Sequence, residues 1–295
     1  MTMEQIKEIL KRIKKLEIKT NKLVYGLISG NYRSVFKGRG IEFSEVREYI
    51  PGDDIRSIDW NVTARFDMPY VKEFIEERDL SVYIAFDVSA SNNFGHVKSK
   101  KETGIEISAS LMLAAMRNND NIGLCLFTDR VEKFIRARKG RKHFLRLLRE
   151  MVYYEPVNKK TGLNESLIYL SRILKRQCII FVISDFISGD FEKPLMFLRS
   201  RHDVILIILS DIRESDIPDI GYILVEDEET GEQMIVNTSN ADFREAYLGK
   251  IREFNDSFSA NMRRLGIDFI RLNTSESFHV QLRRFFRIRE RRMVR

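Results

Sequence analysis

Four apolar segments of this sequence each run directly into an aspartate. The four residues are Asp87, Asp129, Asp185 and Asp211. If these segments are parallel strands, their carboxyl ends share one edge of a sheet, which is where open α/β sheets bind ligands. Aspartate also suits the exit from a strand on local grounds, because it hydrogen-bonds the following turn. Each aspartate taken singly therefore indicates a turn more than it indicates chemistry.

Asp87 differs from the other three because Ser89 and Ser91 follow it at intervals of two residues. One carboxylate and two hydroxyls at this spacing can converge on a single point. Oxygen ligands of this kind suit a hard cation, and Mg²⁺ in particular shares its octahedral shell between a few protein oxygens and water. The alternative is that the two serines only cap the helix that follows.

The elements that would position these residues are short buried strands alternating with amphipathic helices, a pattern typical of a parallel sheet. We predict strands over 80–86, 122–128, 177–184, 203–210 and 267–273, and helices over 98–119, 141–152, 163–175, 191–200 and 240–265. The segment GYILVEDEETGEQMIVN predicts a β-hairpin with Thr230-Gly231 at its turn. The fold class predicted is α/β, with a Rossmann-like, doubly wound and mostly parallel sheet.

The DxSxS pattern of Asp87, Ser89 and Ser91 resembles the metal-ion-dependent adhesion site of von Willebrand factor A domains. In that family a threonine in a later loop and an aspartate after the fourth strand complete the site, and Thr161 and Asp185 stand in the matching chain order. The resemblance implies that these five residues hold Mg²⁺, or another divalent cation such as Mn²⁺. It also implies a protein partner that supplies an acidic residue to the ion.

The segment before this site carries a second resemblance. GRGIEFSEVREYIPGDDIRSIDWNVTAR, then VKEFIEERD and DVSAS, resemble the bacterial family known as domain of unknown function fifty-eight, over roughly residues 25–210. The sequence departs from that family at Gly162, where relatives more often carry Asp or Asn. The resemblance implies a non-enzymatic, cation-dependent interaction module, an adaptor or co-chaperone that works with a MoxR-type AAA+ ATPase.

The length of 295 residues fits one large α/β domain with decorations. We expect an N-terminal amphipathic helix in residues 1–24 and a family-signature segment of short strands and loops in residues 25–79. A von Willebrand factor A-like domain would span residues 80–275, and a basic C-terminal segment residues 276–295. The sequence shows no signal peptide and no apolar run of the ~20 residues that cross a bilayer, which favours a cytoplasmic protein without a membrane span.

The net charge of +7 is concentrated at the two ends of the chain. Residues 1–24 carry net +4 and residues 283–295 net +6, which leaves net −3 elsewhere. We therefore do not expect the main body of the protein to bind nucleic acid. The Arg-rich end could bind nucleic acid or an acidic membrane, but we favour packing on the body through its apolar residues: Leu282, Phe285, Phe286 and Ile288.

Two other classes of function remain open at this point. A Mg²⁺-dependent hydrolase or nuclease would use the acidic edge of the sheet, and it would need Asp129 or Asp211 to converge with Asp87 and Asp185. A structural protein with a vestigial metal motif would bind no cation. No phosphate-binding loop of the Walker form is present, and the sequence indicates no small-molecule substrate.

Overall fold

The computed structural model describes residues 42–66, 68–75, 80–95, 98–158, 160–187, 189–215, 217–227 and 229–293. The amphipathic helix predicted for residues 1–24 lies outside them. Chain contacts divide the protein into two units, Phe36–Leu80 and the remainder.

A six-stranded sheet forms the centre of the larger unit. Its strands, in chain order, are β3 (Ser81–Asp87), β4 (Asn121–Phe127), β5 (Val131–Arg138), β6 (Ile179–Ser184), β7 (Asp203–Ser210) and β10 (Asp268–Asn273). The order across the sheet is β10-β7-β6-β3-β4-β5, and all pairs are parallel except β4 with β5. If the six strands of this sheet are numbered 1 to 6 in chain order and the sheet is followed from β5 to β10, the order is the 3-2-1-4-5-6 arrangement of doubly wound folds. The predicted fold class is confirmed.

Helices cover both faces of this sheet, which is why its central strands are apolar on both sides. The helices are α2 (Lys100–Arg117), α3 (Arg141–Tyr153), α4 (Leu163–Ile173), α5 (Glu192–Arg199), α6 (Ile212–Ser215), α7 (Ala241–Arg264) and α8 (Phe278–Met293). Leucines of α4 and α5 pack with Phe258 of α7 against one face. On the opposite face Phe86 lies against Gly104 of α2, and Phe181 contacts Phe286 of α8.

The sequence prediction missed β5, because its charged residues break the apolar pattern. Val131–Arg138 reads VEKFIRAR and forms the antiparallel edge of the sheet. The predicted C-terminal contacts need one correction. Leu282 and Phe286 are buried, but Ile288 is 48% exposed. Arg289 is buried instead and forms ion pairs with Asp203 and Asp268, so a charged residue completes the docking of α8.

The smaller unit contains an antiparallel pair of strands, β1 (Glu42–Glu48) and β2 (Tyr70–Ile75), and a short helix α1 (Trp60–Phe66) that the sequence prediction did not include. Asp54 caps the 3₁₀ turn Ile55–Ser57 by accepting from the backbone N–H of Arg56. Arg47 donates two hydrogen bonds, of 2.7 and 2.8 Å, to Asp53. The guanidinium of Arg47 lowers the pKa of Asp53 to about 2.

The predicted hairpin is formed by β8 (Tyr222–Glu226) and β9 (Gln233–Asn237), which pair antiparallel. The intervening turn includes Thr230 and Gly231, as predicted, and Gly231 has the positive φ of 75° that favours glycine. Asp227 fixes the turn, since its carboxylate accepts from the N–H groups of Glu229 and Thr230.

Candidate metal centre

Asp87 lies at the point where the order of the strands reverses. It is the last residue of β3, which pairs with β4 on one side and β6 on the other. Its carboxylate accepts from the N–H of Ser89 at 2.9 Å and from the hydroxyl of Ser184 at 2.6 Å. Doubly wound sheets bind ligands at such a reversal point, outside the carboxyl ends of the strands.

Three hydroxyls from two distant parts of the chain meet beside Asp87. The Oγ atoms of Ser89 and Ser91 are 3.1 Å apart, and Thr161 Oγ1 lies at hydrogen-bond distance, 2.8 Å, from Ser89 Oγ. Ser89 occupies the N-cap position of a 3₁₀ turn, Ala90–Asn93, but its side chain makes no capping hydrogen bond. Thr161 comes from the loop before α4.

Asp185 follows β6, the strand beside β3, and a buried lysine neutralises part of its charge. Lys100 Nζ is 3.2 Å from Asp185 Oδ2 and also pairs with Glu214. Burial lowers the pKa of Lys100, but the two carboxylates outweigh it and hold that pKa above its usual value. Lys100 is therefore a cation, and it is shared between two acids.

The backbone that carries Asp185 is held in an uncommon conformation. The next residue, Phe186, has a φ of 57°, in the left-handed region that residues other than glycine rarely adopt. The Phe186 ring packs against Phe191 and Phe258. Such conformations cost about 1–3 kcal/mol and persist where the surrounding structure enforces them, often at functional sites.

Asp87 carries a negative charge that the protein only partly compensates. It is completely buried, and this burial together with the repulsion from Asp185 raises the pKa of its carboxyl to about 6, against hydrogen bonds from Ser184 and Ser89 that lower it. Asp185 directly follows Ser184, whose hydroxyl donates to Asp87, so the two aspartates lie at the ends of adjacent strands. A cation between them would relieve both the burial cost and the repulsion.

Glu229, at the tip of the β8–β9 hairpin, contacts the same group of oxygens. Its Oε1 accepts from Thr161 Oγ1 at 2.5 Å, and its Oε2 accepts from the Thr161 backbone N–H at 3.2 Å. The sequence analysis missed this residue. It also missed Lys100, Ser184 and Glu214, whose contacts with the site arise from tertiary packing and leave no signal in local spacing.

Gly162 departs from the resembled family for a reason that the structure makes visible. A Cβ atom at this position would lie 2.7 Å from Asp129 Cα, and the Gly162 N–H donates to the carbonyl of Thr128 at 2.9 Å. Any side chain there would displace the turn after β4. The loop that carries Thr161 is instead fastened to that turn by its backbone.

The other two strand-end aspartates are held by partners outside this group. Asp129 accepts from Asn158 and Thr128, and Asp211 accepts from Thr274 and from the N–H of Arg213. In the described part of the chain no three residues of the types His, Cys, Asp or Glu come together as metal ligands. The arrangement required by a two-metal nuclease is not found there.

The five predicted residues have the chemistry that a single hard cation requires, and the three hydroxyls among them also have the spacing. All five supply oxygen, as Mg²⁺ and Mn²⁺ prefer. Six oxygens at about 2.1 Å from Mg²⁺ place neighbouring oxygens about 3.0 Å apart. The separations of 3.1 Å between Ser89 and Ser91 and 2.8 Å between Ser89 and Thr161 are close to that value.

The fold and this oxygen cluster define a doubly wound α/β domain with a candidate cation site at its reversal point. The family described as "Protein of unknown function DUF58" matches residues 45–256, and this chain belongs to that family. The match begins and ends later than the range of 25–210 expected from the sequence motifs. No helix in the described part of the chain is long and apolar enough to cross a membrane.

Relatives cover most of the chain. The uncharacterized protein Rv1480 of Mycobacterium tuberculosis is 27% identical over 285 residues, which is 95% of this chain and 89% of that protein. An aerotolerance-related membrane protein of Bacteroides fragilis is similar in structure, with a TM-score of 0.48 and 15% identity over 71% of this chain and 99% of that one. The SpRpn10 VWA domain is also similar, with a TM-score of 0.37 and 12% identity over 70% of this chain and 94% of that one. Both TM-scores are below 0.5, so neither likeness bears on what this chain binds.

Proposed function

We propose that this protein is a non-enzymatic interaction module whose binding of a protein partner depends on a divalent cation, Mg²⁺ or Mn²⁺. The ligands would be Asp87, Ser89, Ser91, Thr161 and Asp185. The observation that carries the proposal is the contact of the Ser89, Ser91 and Thr161 hydroxyls beside the Asp87 carboxylate, with Asp185 at the end of the adjacent strand.

The residues would divide the work as follows. The three hydroxyls are neutral, so they orient an ion without cancelling its charge. Ser184 and the N–H of Ser89 hold the Asp87 carboxylate in one orientation, and Lys100 does the same for Asp185. When bound, the ion supplies an electrophilic position for an external oxygen anion, such as the carboxylate of a partner's Asp or Glu.

An interaction role fits this site better than hydrolysis does. Phosphoryl transfer with two metals needs carboxylates on both ions, whereas Asp129 and Asp211 are engaged with Asn158 and Thr274. A MoxR-type AAA+ ATPase is the partner that the family resemblance implies. An adaptor or co-chaperone role for this chain follows from that partnership.

Calorimetry with metal-free protein tests the cation site. Titration with Mg²⁺ and with Mn²⁺ should give saturable binding to the wild type and none to Asp87→Asn. The matched control is Asp129→Asn, at the same edge of the sheet, which should bind as the wild type does. Absence of cation binding by the wild type would leave only the vestigial-motif alternative.

A pull-down from native lysate tests the partner. Wild-type bait in Mg²⁺ should retain an AAA+ ATPase that chelator and Asp87→Asn both release. If the same proteins are retained under all three conditions, binding does not pass through the ion and the proposed role is wrong.

A further inference from the structure

Glu229 approaches the candidate metal centre as a two-oxygen acceptor. Both carboxylate oxygens contact Thr161, one at the hydroxyl and the other at the backbone N–H. Thr161 Oγ1 is in turn 2.8 Å from Ser89 Oγ. The carboxylate therefore lies at the end of the chain of hydroxyls that would face the ion.

The charge of Glu229 has no local explanation. Among the described residues, no positively charged group forms an ion pair with it, and both of its oxygens accept from Thr161. A carboxylate without a cationic partner is stabilised when a cation binds beside it. A divalent ion held by the neighbouring hydroxyls would supply that attraction.

The hairpin that carries Glu229 is otherwise poorly attached along its strands. Tyr222, Leu224 and Ile235 are 76%, 63% and 73% exposed. Its base is fixed by Thr238, whose N–H and hydroxyl donate to the carbonyl of Gly221 at 2.8 and 2.7 Å. The contact of Glu229 with Thr161 holds the tip.

A cavity of about 1090 Å³ lies between the hairpin and the loop of the candidate site. The hairpin lines it with Ile223 and Met234, and the body lines it with Phe94, just after the DVSAS segment, and with Tyr247 of α7. The hairpin therefore does not pack tightly on the surface beneath it. Release of its tip would cost little buried apolar area.

We infer that Glu229 is a built-in ligand of the metal centre, which occupies the position that a partner's acidic residue takes, so that the free protein is self-capped. This inference rests on the proposed cation site and adds the regulation of that site. The partner must displace Glu229, and displacement frees the β8–β9 hairpin and uncovers the surface around Phe94. Binding and opening are then one competition between two carboxylates for the same ion.

Acetate with Mn²⁺-loaded protein tests this competition without knowledge of the partner. The paramagnetic ion relaxes the methyl protons of acetate when the carboxylate reaches it, and the relaxation measures access to the open position. If roughly nine-tenths of the wild type is capped, Glu229→Gln should bind acetate about tenfold more tightly. Glu232→Gln is the matched control, since it removes the same charge from the same hairpin at an exposed position.

Hydrogen exchange of the hairpin amides provides a second readout. In the wild type, Mg²⁺ should slow exchange in Tyr222–Asn237, because the ion fastens the tip, and Glu229→Gln should abolish this protection while it still binds the ion.

The outcomes separate the two proposals. If the wild type and Glu229→Gln bind Mn²⁺ but relax acetate equally, Glu229 does not cap the site, and the cation site stands without it. Asp87→Asn is the negative control and should bind no Mn²⁺. If the wild type also binds none, the proposed cation site is wrong, and so is the proposal that Glu229 caps it. Enhanced relaxation in Glu229→Gln, with Glu232→Gln equal to the wild type, supports the cap.

Discussion

Replacing Asp87 with Asn should stabilise the metal-free protein. The carboxyl of Asp87 has a pKa raised from 3.8 to about 6 because it is buried and close to Asp185. A shift of about 2 pKa units corresponds to about 3 kcal/mol of unfavourable energy for the charged form at pH values above 6. Asparagine removes that charge and keeps an oxygen that accepts from the N–H of Ser89.

The measurement is denaturant and thermal unfolding at pH 7.5 in chelator. A gain of about 3 kcal/mol corresponds to a rise of roughly 6–10 °C in Tm for a chain of this size. Mg²⁺ at a thousandfold excess over Kd should reverse the order, because the wild type then gains about 4.1 kcal/mol and the variant gains nothing. The matched control is Asp129→Asn. A hydrogen bond from Asn158 lowers the pKa of Asp129, so this variant should gain no stability.

The pH dependence follows from the same shift. The folded protein binds a proton at Asp87 more readily than the unfolded chain does, so this contribution to the stability of the metal-free wild type is complete below pH 4 and disappears as the pH rises through 6. The stability of Asp87→Asn should not show this change with pH. If Asp87→Asn is less stable than the wild type in chelator at pH 7.5, the charge on Asp87 does not destabilise the fold and the reasoning is refuted.

Three further changes test other parts of the structure. Thr161→Val removes one hydroxyl of the cluster and should weaken Mg²⁺ about tenfold in calorimetry, while the hydrogen bond from the backbone N–H to Glu229 remains; unchanged affinity would exclude that hydroxyl as a ligand. Arg289→Ala removes the buried partner that Asp203 and Asp268 share, although Asp268 keeps Arg292, and should lower the free energy of unfolding by about 3 kcal/mol in urea, whereas the exposed Arg291→Ala should change it little; equal effects would show that the ion pairs are not what holds α8. Asp53 should titrate with a midpoint near pH 2 in NMR, so its ion pair stabilises the fold above pH 4 and is lost as the pH falls toward 2; a midpoint near 4 would contradict the contact.

The parallel strands could be predicted because each is a short apolar run that ends in a polar residue. The segment predicted at 122–128 is Asn121–Phe127, and that predicted at 203–210 is Asp203–Ser210. β5 could not be predicted in this way, since an edge strand is only half covered and tolerates charges. In a doubly wound sheet the first strand of the sheet lies beside the fourth, and this order places Asp87, at the end of β3, beside β6.

The residues of the candidate site could be predicted only where their order along the chain matched the resembled family. The hydroxyls of Ser89 and Thr161 are 72 residues apart in the chain and make contact in the structure. Lys100, which is 85 residues from Asp185, gave no sign of its role, because an ordinary helix start also contains lysine. Glu229 was hidden among other acids in a turn, of which Asp227 only bonds the N–H groups of the turn itself.

The charged strand at the border of the sheet limits how other proteins can attach. An exposed edge offers unpaired N–H and C=O groups to any extended peptide, and natural proteins discourage such pairing with charges. β5 carries Glu132, Lys133, Arg136 and Arg138 along eight residues. Strand addition at this border is therefore disfavoured even at high concentration, and an added peptide strand is not expected there.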